Sequence, residues 1–121
     1  MKVVFEPELN EYKEKCIADI SNSRYNDEIS GIVVNGMTIP TDRESQSLIT
    51  GAALQAIIDN NYVCNWKTKN GFIPLDAPTI LKIAKIVREH VQNCFDKEKS
   101  LIEKINNATT IEEVTEIKYE R

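Results

Sequence analysis

The chain has 121 residues, 41% hydrophobic and 28% charged, with a formal net charge of −4 and a pI near 5.1. That length suits one domain able to bury roughly two-thirds of its unfolded surface, and the composition excludes disordered and collagen-like classes. The acidic balance argues against broad capture of nucleic acid, which needs a basic face to release counterions.

"MKVVFEPELNEYKEK" opens with only three consecutive apolar residues, Val3 to Phe5, before acids begin, so no signal-peptide core is predicted. No stretch approaches the roughly 18 apolar residues of a membrane span. A cytosolic product without an anchor is expected. Cys16, Cys64 and Cys94 are odd in number and far apart, which fits small hydrophobes in a reducing compartment better than a disulfide framework.

Pro7 is suited to a first turn, and Leu9, Tyr12, Cys16 and Ile20 recur at steps of three to four, which predicts an amphipathic helix over about 7–21. "SNSRYNDEISG" collects residues that bond their own backbone, and reads as a loop. Ile32-Val33-Val34, then Asn35-Gly36, then Met37-Thr38-Ile39 is a hairpin signature, because both turn positions favour positive φ. Pro40 ends the ladder. Thr41 or Asp42 can cap the next helix, which reaches about Asn60 with Leu48, Ile49, Ala52, Ala53, Ala56 and Ile57 on its apolar side. Gly51 within it predicts a close contact that needs the missing side chain.

A second hairpin follows. "YVCNWKT" alternates, "KNG" turns with Asn70-Gly71 at positive φ, and "FIPL" returns. Asp76 caps a long helix to about Asn107, and "ATTIEEVTEI" is a capping-box pattern with Thr109 or Thr110 as the cap of a short last helix. The predicted class is α+β in the order α-ββ-α-ββ-α-α, as one domain over 1–121. Within it, 1–24 is an N-terminal helical arm, 25–75 a hairpin-helix-hairpin, and 76–121 the long and terminal helices.

Few residues suggest chemistry. His90 and Cys94 stand four apart on the long helix and form half of a zinc or Cys-His arrangement, but no further ligand follows at short spacing. The alternative is a core cysteine with a histidine at its edge. No phosphate-binding glycine pattern and no carboxylate pair beside a cleft occur. No catalytic residue, metal or cofactor is therefore expected. Asp42, Arg43 and Gln46 gather where strand passes into helix and could hold a partner's carboxylate or backbone, or Asp42 could cap and Arg43 pair with an acid. Trp66 is a core anchor or an interface anchor. A heptad frame, Ala84, Val87, Val91, Cys94, Glu98, Leu101, Ile105 and Ala108, would permit a homo-oligomeric helical seam or packing within the monomer.

"GIVVNGMTIPTDRESQSLITGAALQA" and "VCNWKTKNGFIPLDAPTILKIAKIVREHVQNCFDKEKSLIEKINNATTIEEVTEI" together resemble a domain of unknown function found in many tailed-phage and prophage tail proteins, often beside tail-fibre or tail-fibre-assembly modules. The resemblance runs from the "YKEKCIADI" helix to Ile117. It implies a non-enzymatic component of a tail tip or fibre, or an assembly factor, whose partners are other tail proteins and which works in the host cytoplasm during assembly or in the virion tail. On that reading the hairpin-cap-helix unit presents its turn and the corner of Asp42, Arg43 and Gln46 to a partner, with Trp66 of the second hairpin as a further contact, and without nucleic acid or membrane. A small phage regulator or inhibitor of a host protein is the alternative; a hydrolase would need a second catalytic partner for His90.

Overall fold

In the computed structural model, residues 6–121 are described, so the short apolar run at Val3 to Phe5 lies outside them. The architecture is α+β: α1 Glu6–Glu28, β1 Ile32–Val34, β2 Met37–Ile39, α2 Arg43–Ile58, β3 Val63–Thr68, β4 Gly71–Asp76, α3 Ala77–Asn107 and α4 Ile111–Glu116. Each antiparallel hairpin is its own two-stranded sheet, β1 with β2 and β3 with β4. The chain divides into two compact units, one of Ile29–Val91 and one that combines α1 with residues 92–121.

The hairpin unit folds around Val34, Ile39, Ile49, Ala56, Leu75, Ile80, Ile83 and Val87. Each Val, Leu and Ile among them contributes about 1.5–3 kcal/mol when fully buried. Asn35 and Gly36 take φ of 52° and 77°, the two positive values of a type I′ turn, and β1 meets β2 in the register Val34 opposite Met37. The second turn differs from expectation. Lys69 and Asn70 make it without positive φ, and only Gly71 is left-handed, at 107°, as in a type I turn followed by a left-handed residue. A Cβ at Gly36 or Gly71 would meet nothing within 4 Å, so the whole cost of a side chain there is backbone strain. Gly36→Val and Gly71→Val should each destabilise by about 1–3 kcal/mol in urea unfolding, with Lys69→Ala near neutral; equal tolerance at all three would show that φ is not what selects glycine.

Asp42 caps α2, and Thr41 behind it is fully buried, its hydroxyl accepting from Gly31 N–H at 2.9 Å. Helix α2 ends at Ile58 rather than near Asn60, and its apolar side is narrower than predicted. Ile49 and Ala56 are buried, but Leu48 and Ile57 stand 59% and 69% exposed, because only a stripe through Ile49, Ala52, Ala53 and Ala56 meets the core. The predicted close contact at Gly51 is absent, since a Cβ there would meet nothing within 4 Å. Asp76 Oδ1 accepts from Thr79 N–H at 3.0 Å and opens α3 as expected.

In the other unit, Leu9 and Ile20 of α1 pack with Ile105, Ala108 and Val114. Thr110 is the cap of α4, and the Glu113 carboxylate reaches back to Thr109 N–H at 2.9 Å, completing the capping box one residue before the cap. The predicted loop after residue 21 is helix as far as Glu28. Tertiary contacts override the weak propensity of Ser21, Asn22 and Ser23: Arg24 donates to Glu28 at 2.6 Å and to Glu98 at 2.9 Å, and lies 4.3 Å from the Phe95 ring centroid. Glu28 is 1% exposed, so this guanidinium is its buried counter-charge. Val87, Val91, Cys94, Ile105 and Ala108, positions of the predicted heptad seam, are buried by the chain's own packing.

Candidate functional site

The polar corner at the head of α2 is built by local capping. Asp42 Oδ2 accepts from Ser45 N–H at 3.2 Å and its Oδ1 from the Ser45 hydroxyl at 2.6 Å, and these bonds to Ser45 hold its carboxyl below the usual range. Gln46 folds back and donates from Nε2 to the Thr41 carbonyl at 2.7 Å. Both groups thus have structural duties; the neighbouring Arg43 is exposed and also has an interaction of its own. The sequence correctly places these residues together.

Beside the corner runs a groove of about 560 Å³ between α2 and β3. Its helix wall is made of small side chains, Ser47, Gly51 and Ala52, with exposed Leu48 at the rim. Tyr62, Cys64 and Trp66 form the strand wall. A hydrogen bond with Cys64 pushes the Tyr62 phenol upward, so it is neutral at physiological pH. Trp66 is half-buried: it packs against the core of the hairpin unit and also lines the groove. Gly51 serves this groove and not close packing: without a side chain there, the helix wall stays low.

His90 and Cys94 lie one helical turn apart on α3, as their spacing requires. Cys94 is buried, and burial pushes its thiol upward, with the Asp27 carboxylate adding to the effect and the Tyr119 hydroxyl opposing it. A thiol held protonated at neutral pH is a poor nucleophile. Tyr119 is itself raised, first by burial and then by donating to Asp27 Oδ2 at 2.7 Å. Lys97 sits over the Tyr119 ring at 4.9 Å and donates to the Glu120 carbonyl at 2.7 Å, while Arg121 donates to the Asn26 carbonyl at 3.3 Å. These bonds fasten the last residues to α1 and α3.

Among the described residues no helix is long and apolar enough to cross a membrane. In comparisons with known proteins, a family model described as a domain of unknown function matches residues 11–119. No curated protein and no solved structure matches the chain.

Proposed function

From the premise that the chain belongs to the family described as a domain of unknown function (DUF4376), matched over residues 11–119, we propose that it is a non-enzymatic docking module of a phage tail. It serves tail structure or fibre assembly through contacts with other tail proteins, in the host cytoplasm and in the assembled tail. The resemblance of the "TDRESQSLITGAA" and "WKTKNGF" stretches to tail-associated domains supports the phage setting. The observation that carries the docking role is the groove between α2 and β3, with Trp66 in its wall, beside a first turn of α2 on which Arg43 is exposed. Rigid secondary structure on both sides pre-organises such a surface, which lowers the ordering cost of binding.

Arg43 offers a planar fork that pairs with a carboxylate, and truncating one partner of a charged contact in a buried interface costs about 2–5 kcal/mol. Arg43→Ala should therefore leave the thermal melt within a few degrees of wild type and weaken recovery of tail proteins from phage-infected cells at least tenfold, measured by quantitative mass spectrometry of the tagged chain. A lowered melt with unchanged recovery would assign Arg43 to an internal pair and remove it from the dock.

A further inference from the structure

Strand β3 has an edge that no other strand among the described residues pairs with. β3 and β4 form a sheet of two strands, so the ribbon has two outer edges, and they are not equivalent. Pro74 stands opposite Asn65 in the middle of β4. Lacking an N–H, Pro74 cannot exchange both bonds of a hydrogen-bonded pair, so Asn65 and Pro74 form a non-bonded pair. Bonded and non-bonded pairs alternate along an antiparallel ladder. Val63, Asn65 and Lys67 consequently turn their N–H and C=O groups away from β4, and Phe72, Pro74 and Asp76 do so on the opposite side. The β4 edge lacks its central donor, a device that blocks further pairing. On β3 every donor of the outer row is present, and none has a partner among the described residues.

That open edge runs along the groove. Asn65 and Lys67 line it together with Cys64 and Trp66, and their side chains alternate between the two faces of the strand. A cleft that touches both faces of one strand lies along its edge. The facing helix wall is lowest at Gly51, which leaves room for a backbone. Lys67 carries the single charge of the lining and has no ion pair or hydrogen bond among the described residues.

We propose that the β3 edge accepts an extended segment of a partner protein as a third strand, seated between β3 and α2, with an acidic side chain beside Lys67. The proposal rests on the docking role above and gives that dock its chemistry. Main-chain bonds to Val63, Asn65 and Lys67 supply affinity, and alternate apolar side chains of the segment lie over Leu48, Ala52 and Trp66. The carboxylate complements the lone ammonium and fixes the register.

The probe is a display library of random seven-residue peptides panned on the full chain, with the selected sequences resynthesised. Peptides with apolar residues at every second position and an Asp or Glu are expected. Their affinity should fall at least tenfold on N-methylation of alternate amides, and remain within twofold on methylation of the amides between. Asn65→Pro removes the central donor of the edge without touching a ladder bond, and should abolish binding at an unchanged melt. Failure to select any peptide, N-methylation effects without a period of two, or binding that survives Asn65→Pro would each overturn strand addition. Sedimentation of the free chain tests the other occupant: a dimer that Asn65→Pro dissociates would assign the edge to a second copy and overturn the peptide partner. Recovery of tail proteins by Asn65→Pro at the wild-type level sinks strand addition and leaves the docking role standing. Period-two peptide binding by a chain that recovers no tail protein upholds strand addition and removes the tail role.

Discussion

Arg24→Ala is expected to cost about 3–5 kcal/mol of unfolding free energy, because it removes the guanidinium that bonds the buried Glu28 and the half-buried Glu98. The side chain bridges Glu28 and Glu98 with bonds of 2.6 and 2.9 Å and stacks on Phe95. Glu28 is 1% exposed, so water cannot take over the lost bond without opening the end of α1. Arg24→Lys keeps the charge but not the fork that reaches two acids at once, and should fall between wild type and Ala. Urea unfolding followed by circular dichroism measures the series. If Ala and wild type unfold at the same midpoint, the cluster is solvated in solution and its burial is not what holds α1 helical beyond Ile20.

Ile105→Ala should cost about 2–5 kcal/mol, the range for removing a large aliphatic side chain from a well-packed site. Ile105 is 0% exposed and touches the cluster of Leu9, Ile20, Ala108 and Val114, which shares no residue with the core around Ile39 and Ile83. The damage should therefore be local. The single tryptophan, Trp66, belongs to the hairpin unit and reports on that unit alone. Heating Ile105→Ala should show helix loss by far-ultraviolet circular dichroism at a lower temperature than the Trp66 fluorescence change. Coincident transitions would mean that the two units unfold as one cooperative body.

Much of the fold was legible because it is locally encoded. Asn35-Gly36 needs only its own φ preferences to make a turn, Asp42, Asp76 and Thr110 need only the amides ahead of them, and all appear where the sequence puts them. The second turn failed by one residue, since Gly can serve as a turn position or as the left-handed residue after the turn, and both satisfy the same sequence. The end of α1 failed for a different reason. Ser21 to Ser23 favour a loop on propensity, and the partners that keep them helical, Glu98 and Tyr119, lie far along the chain. The spacing of Arg24 and Glu28, four apart, was the available local sign of a continuing helix. For the candidate groove, the small residues of α2 were visible, but whether they mark close packing or an open wall depends on the position of β3, which no local pattern encodes.

The unit built from α1 and residues 92–121 is discontinuous, and this sets an order of events during synthesis. Helix α1 leaves the ribosome first, yet Asp27 waits for Tyr119, 92 positions later. At about 5–20 residues per second, the delay is roughly 5–20 s. In that interval Ile29–Val91 is synthesised and emerges before the partners of α1 do, while Leu9 and Ile20 remain uncovered on the nascent chain. A pause taken when Val91 has emerged from the exit tunnel and Ile105 has not would hold a finished hairpin unit behind an orphaned, sticky helix, so slow codons that produce such a pause should raise chaperone demand and aggregation more than the same codons placed earlier.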